Sequence, residues 1–437
     1  MQIIQFPPRE QWTRLLQRPV LDNSDLESKV SDILKGVKQR GDQAVREFTE
    51  RFDRFCPDTL EVSKAEIEEA INLVSPELQQ AIQQAKENIE KFHRIQIRNE
   101  DVVETMPGVY CWRKSVAIEK VGLYIPGGSA PLFSTILMLA VPARLAGCRE
   151  IILCTPAYYS DISSGANRGK VHPAVLYTAW LSGITRIFKI GGAQAIAAMA
   201  YGTASVPSVD KIFGPGNQYV TCAKMLIQKQ GIAIDMPAGP SEVAVFADET
   251  ANSAFVAADL LSQAEHGSDS QVVLTTTSPE LIEDVKAELE KQLHLLSRRT
   301  LAGNSLKNSK MFLVKDRAEA MDLLNSYAPE HLILACKDAE ELAEKVINAG
   351  SVFIGHLSPE SAGDYASGTN HTLPTNGFAR SYSGVSVDSF VKKITFQQLT
   401  QEGLQNISTT VERMAQAEGL DAHARAVKLR REAINKK

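Results

Sequence analysis

Apolar residues in the first hundred positions recur at helical spacing. Between Ser24 and Arg51 they fall at Leu26, Val30, Ile33, Leu34 and Val37, one face of a helix. Ser63 to Ile97 repeats the pattern, and Ser63 with Glu66 has the spacing of a capping box. No chemistry shows there, so this part is predicted to serve packing. From about residue 119 the texture changes to short apolar runs followed by glycine. Val121–Ile125 reads as a strand, Pro126-Gly127-Gly128-Ser129 as a turn, and Pro131–Leu145 as a helix. A strand at Glu150–Cys154 precedes a polar surface loop at 157–171. A helix near 173–182 leads to a strand at Arg186–Ile190, and Gly191-Gly192 opens a helix over 193–200. A strand at Val209–Phe213 ends in Gly214-Pro215-Gly216-Asn217, which opens a helix to about 229. This recurring alternation predicts a parallel sheet with right-handed crossovers.

A second alternating region follows. Strands are predicted at Val243–Phe246, Val272–Thr275, Met311–Val314, His331–Ala335 and Val352–Ile354, with helices over 251–265, 279–292, 317–325 and 338–348. The stretch 380–437 reads as helical and charged. The fold class is therefore α/β: two Rossmann-like units with incomplete parallel sheets, a helical N-terminal part and a small C-terminal segment. The division expected is an N-terminal arm (1–23), a larger domain from 24–120 and 239–378, a Rossmann-like domain (121–238) and the segment 379–437.

Composition narrows the function classes. A chain of 437 residues has room for two to four domains. A net charge of −5 gives no basic footprint for nucleic acid. The most apolar stretch, 131–147, is broken by Pro142 and Arg144, and the N-terminus lacks the layout of a signal peptide, so neither membrane insertion nor export is expected. The six cysteines are scattered with no C-x-x-C, which fits a reducing, cytoplasmic setting.

Candidate chemistry sits in the turns and histidines. Three glycine turns of one sheet (PGGSAP, GGAQA, GPGNQ) suit a nucleotide phosphate at a helix N-terminus, although each alone also reads as a tight turn, and none is G-x-G-x-x-G. His266 ends L-L-S-Q-A-E-H-G, with Gln263 three residues before it and Gly267 as the expected helix stop. Spacing leaves two readings for it, a zinc ligand or a histidine at a helix C-terminus. Glu330-His331 at a strand mouth is an acid/base candidate or an ordinary polar strand start. His371 closes the polar stretch 358–375, which also holds Asp364 and reads as a mobile loop or, the favoured reading, a binding loop. His423, with Glu418 five residues before it, reads as a surface histidine on a helix. Cys148 and Cys154 read as small buried hydrophobes, not nucleophiles.

Taken together, the strings LYIPGGSAPLFST, IGGAQAIAA, KIFGPGN, DMPAGPSEV, LLSQAEHG, PEHL, ESAGDYASGTNHTLPT and AEGLDAHARAV resemble the histidinol dehydrogenase family, in that family's order, from about residue 20 to 430. The resemblance implies a zinc- and NAD-dependent enzyme oxidising L-histidinol to L-histidinaldehyde and then to L-histidine, the last two steps of histidine biosynthesis. It implies one Zn2+ per subunit on Gln263, His266, Asp364 and His423. Tyr124, Gln194 and Asn217 would contact NAD+. Glu330 and His331 would be catalytic. Ser241, Gln263, His266, His331, Asp364, His371, Glu418 and His423 would bind substrate. It further implies a homodimer whose C-terminal residues Glu418 and His423 complete the partner's site. A relative on the same scaffold oxidising another small amino- or sulfo-alcohol is the alternative, and a thiol aldehyde dehydrogenase or a non-catalytic binding protein are more distant ones.

Overall fold

The structure of the chain, a computed structural model, describes residues 1–19, 25–97, 101–127, 131–157, 169–237 and 239–435. Most of the expected 157–171 loop, Gly128, Ser129, and the terminal Lys436-Lys437 lie outside the described residues. In chain order the strands are β1 (Gln2–Gln5), β2 (Val103–Met106), β3 (Val109–Ala117), β4 (Lys120–Tyr124), β5 (Glu150–Thr155), β6 (Arg186–Lys189), β7 (Lys211–Phe213), β8 (Ala233–Ile234), β9 (Glu242–Ala247), β10 (Gln271–Thr276), β11 (Lys310–Leu313), β12 (His331–Ala335), β13 (Ser351–Ile354) and β14 (Val391–Leu399).

Two parallel sheets result, as the alternation predicts. The larger has the order β1-β11-β10-β9-β12-β13 and the smaller β6-β5-β4-β7-β8. β9, β10 and β12 are buried at every position, as a parallel sheet covered on both faces requires. Val243, Val245, Val272 and Leu274 face the Ser253–Ala264 and Pro279–Leu293 helices. Ala244, Phe246, Val273 and Phe312 face the Arg317–Tyr327 helix on the other side.

Several expectations change. The 24–51 helix breaks at Gly41 (φ 54°) into Leu26–Arg40 and Asp42–Asp53. The 63–97 helix breaks before Pro76 into Lys64–Leu73 and Pro76–Arg94. The Ser63–Glu66 capping box is present, with both of its hydrogen bonds. The helices of the first hundred residues, expected with the larger domain, pack on the smaller sheet instead. The Leu26, Val30 and Leu34 stripe shares a core with Ile152, Phe188 and the alanine-lined Gly192–Tyr201 helix. The arm supplies β1, an edge strand beside β11. The segment from 380 is not helical throughout: β14 pairs antiparallel with β3 along nine positions, Trp112 stacking on Phe396 at 5.5 Å. The 338–348 helix shortens to Ala339–Ala343.

The two sheets share the cleft that forms the site. β7 returns to the opposite side of β4 from β5 and β6, so a switch point opens at the carboxyl ends of β4 and β7. The Gly214-Pro215-Gly216-Asn217 turn stands there, after β7. The larger sheet turns its amino edge toward it, because Ser241 precedes β9 and His331 is the first residue of β12.

Gly214 is the tightest point of this edge. Its φ is 128°, and a Cβ there would lie 2.0 Å from the Tyr124 carbonyl oxygen. Gly214→Ala is therefore expected to cost at least ~3 kcal/mol by denaturant unfolding, strain and backbone clash together. Gly231, with φ 96° but nothing within 4 Å, should lose only about 1 kcal/mol as alanine. Equal losses would contradict the clash.

Candidate active site

Between the two sheet edges lies a cleft of about 390 Å³, lined by Asn217 and Gly214 from one side and by Ser241, Gln263, His266, Glu330, His331, Asp364 and His371 from the other. A larger groove of about 1130 Å³ runs along the three-stranded sheet beside Trp112 and Phe396, but none of the clustered buried histidines and carboxylates lines it.

The pair Glu330-His331 is held by the backbone of Glu242, at the start of the neighbouring strand. The Glu242 N–H donates to Glu330 Oε2 at 2.9 Å, and the Glu242 carbonyl lies 3.1 Å from His331 Nδ1. The Gln263 amide donates to the same carbonyl at 3.0 Å and to Glu330 Oε2 at 3.3 Å. Its two N–H groups are thereby used, so its 3.2 Å approach to His331 Nδ1 brings two donors side by side. These bonds fix the tautomer: Nδ1 carries hydrogen toward Glu242. Nε2 faces the cleft buried and without a hydrogen-bond partner. When it carries no proton, such a nitrogen in a cleft can act as a general base.

Three carboxylates surround that imidazole. Glu330 Oε2 lies 3.7 Å and Glu360 Oε1 3.8 Å from Nδ1, while Asp364 Oδ1 lies 3.5 Å from Nε2. Burial lowers the His331 pKa, but Glu360, Glu330 and Asp364 outweigh it and hold the pKa well above the ordinary value. Burial raises Glu330 to about 7 against the pull of His331. Burial likewise pushes Glu360 well up. Asp364 ends low, because its contact with His331 overcomes burial. Burial lowers both His266 and His371, keeping them neutral. In the chain by itself the positive charge of the cluster thus sits on His331. A second cation beside Asp364 would free Nε2 to act as a base.

His331, Glu360 and Asp364 come close enough together to resemble a metal trio. Glu360 and Asp364 stand off opposite ring nitrogens, however, so they bracket the imidazole and do not converge on one point. The neutral His266 and the partnerless, buried Gln263 Oε1 and Asp364 Oδ1 are better donors for an ion.

The remaining expected residues divide. Tyr124 ends β4 buried, its hydroxyl accepting the Gly192 N–H at 3.0 Å. Gln194 is 1% exposed, and both its amide atoms lack partners. Asn217 caps its helix through the Tyr219 and Val220 N–H groups. His371 joins the two sides, Nε2 3.0 Å from Thr135 and Nδ1 2.8 Å from the Asp364 carbonyl. Glu418 and His423 are exposed and do not line the cleft of their own chain. The helix bearing Gln263 stops at Ala264, short of His266, and Gly267 avoids the left-handed region expected of a helix stop. Sequence reasoning missed Glu242 and Glu360. Glu360 begins a short helix, Glu360–Tyr365, inside the stretch read as a loop, and its spacing of four before Asp364 was the available signal.

A family model described as histidinol dehydrogenase matches residues 16–431. The chain belongs to the histidinol dehydrogenase family. It is 58% identical over 436 residues to histidinol dehydrogenase of Bacteroides fragilis (strain YCH46), covering 100% of both. It is 50% identical over 428 residues to that of Vibrio parahaemolyticus, covering 97% of this chain and 96% of the other. The crystal structure of histidinol dehydrogenase from Elizabethkingia anophelis superposes with a TM-score of 0.96 at 53% identity, covering 100% and 99% of the two chains. The chain is thus an oxidoreductase of histidine biosynthesis. Among the described residues no helix is long and apolar enough to cross a membrane.

A thiol mechanism has no support in this site. Burial raises the Cys148 thiol to about 11, and its sulfur sits in an apolar core with the Phe390 carbonyl oxygen at 3.8 Å. Cys148→Ala should keep kcat within about twofold, whereas losing a nucleophile would cost ~10⁴-fold or more.

Proposed function

We propose that the chain oxidises L-histidinol to L-histidine through L-histidinaldehyde, with NAD+ as acceptor in both steps. The observation that carries this reading is the buried, partnerless His331 Nε2 beside a Glu330 carboxyl whose pKa is near 7, in a cleft shared with the Gly214-Pro215-Gly216-Asn217 turn. His331 Nε2 takes the proton of the substrate hydroxyl in the first oxidation. Glu330 takes a proton from water as it adds to the aldehyde, and the protonated His331 gives its proton to the carbonyl oxygen, so the gem-diol forms with His331 neutral again. His331 then takes a diol proton in the second oxidation. Ser241, His371 and Asp364 line the cleft where the substrate's polar groups would be held.

NAD+ would lie along Tyr124, Gln194 and Asn217, and each equivalent would accept one hydride. The fit is supported by Gln194, a buried amide with no partner among the described residues. Zinc would be held by Gln263, His266, Asp364 and a His423, and would supply a fixed charge that orients the substrate's imidazole and amine. The partnerless Gln263 and Asp364 oxygens and the neutral His266 fit it. Glu418 and His423 would come from a partner subunit of a homodimer. They are exposed on a hairpin of the Gln401–Ala417 and Asp421–Asn435 helices, which also exposes Met414, Leu420 and Leu429. The six free cysteines accord with a cytoplasmic enzyme.

The test is stoichiometric. Zinc-loaded protein given L-histidinol and excess NAD+ should yield two NADH per histidine, and a chelator should abolish both. One NADH per substrate, or no histidine, would refute the reading. His331→Asn should lower kcat ~10²–10⁴-fold while the zinc content is unchanged. Mixing inactive His331→Asn with inactive His423→Ala subunits, with exchange of chains, should restore activity, because the mixed dimer holds one intact site. Failure to complement in verified mixed dimers would place His423 in its own chain's site.

A further inference from the structure

The N-terminal arm takes no part in the reaction proposed above, yet it reaches the strand that holds the catalytic pair. Arg18 Nε donates to Glu242 Oε1 at 3.0 Å and Nη2 to Oε2 at 2.7 Å, a two-point fork. Nη2 also donates to the Tyr327 carbonyl at 2.8 Å, and the guanidinium lies 3.9 Å over the Tyr327 ring. The two charged side chains are 12% and 1% exposed. The contacts close into a ring. The Tyr327 hydroxyl donates to Gln271 at 2.9 Å, and the Gln271 amide donates to the carbonyl of Gln17, the residue before Arg18, at 3.2 Å. The Glu242 carboxylate also accepts the N–H of Asn376, at the end of the loop that carries His371.

Glu242 therefore faces two ways. Its backbone N–H and carbonyl hold Glu330 and His331, and its carboxylate is held by Arg18 and Asn376. Rotation of that carboxylate would move the start of β9, and with it both bonds to the pair. A fork resists this rotation; a single ammonium donor does not.

We propose that Arg18 is a positioning residue for the Glu330–His331 pair, acting through Glu242. The inference rests on the reading that this pair carries the chemistry.

Arg18→Met alone would strand a buried carboxylate and lower stability for that reason. The informative variant is Arg18→Met/Glu242→Gln, which removes the stranded charge but not the need for a clamp. In the full-length, zinc-loaded enzyme, melting temperature, zinc content, kcat and both KM values would be measured. The double variant should recover most of the melting temperature lost in Arg18→Met, yet keep kcat at least tenfold down, with KM for NAD+ and zinc content within twofold. Arg18→Lys should fall between. Recovery of kcat together with melting temperature would overturn the proposal, as would wild-type kcat in Arg18→Met. Should the double variant not regain its melting temperature, millimolar guanidinium added to Arg18→Ala decides: restored kcat supports the clamp, and no restoration overturns it. Full turnover in His331→Asn would remove the underlying reading instead, whereas an inactive His331→Asn beside a fully active double variant sinks only the clamp.

Discussion

The site depends on one buried residue whose backbone and side chain do different jobs. Glu242 opens a strand that is buried at all six positions, so its peptide groups are rigid. Its N–H and carbonyl fix the carboxylate of Glu330 and the tautomer of His331. Its carboxylate, in an interior where an unpaired charge would be costly, is matched by Arg18. Neighbouring parallel strands put Val243 opposite His331, which brings the two strand starts side by side. The geometry of the candidate catalytic pair is thus a consequence of sheet register.

A second constraint is electrostatic. Glu330, Glu360 and Asp364 crowd one imidazole, and together they raise its pKa and favour the protonated ring. A base must be neutral, so this cluster needs another positive charge to become catalytic. The neutral His266, the partnerless Gln263 oxygen and the anionic Asp364 are arranged where such a charge would be welcomed. On this account a bound cation both orients the substrate and releases the base.

Local signals were legible in the sequence. The glycine turns at 191–192 and 214–217, the buried strand runs and the Ser63–Glu66 box each depend on neighbours a few residues apart, and each appears where its pattern predicts. Signals of long separation were not. Arg18 and Glu242 are 224 residues apart, and neither stands out in its own segment. The β3–β14 pairing joins a half-buried strand to a largely exposed one, with little apolar face to betray either. Gly41 was hidden inside a continuous helical stripe that its positive φ interrupts. Glu360 was hidden by the polar composition of its helix. Family resemblance named the cleft residues, but how Glu242 holds them became visible only with the fold.

The central claim is that Glu242 and a neighbouring cation together present His331 as a neutral base with Nε2 bare. Neutron diffraction from the zinc-loaded enzyme shows the ring hydrogens directly. The account predicts one deuteron on His331, at Nδ1 and pointing to the Glu242 carbonyl, with none on Nε2. A deuteron on Nε2, whether alone or on a doubly protonated ring, would contradict it.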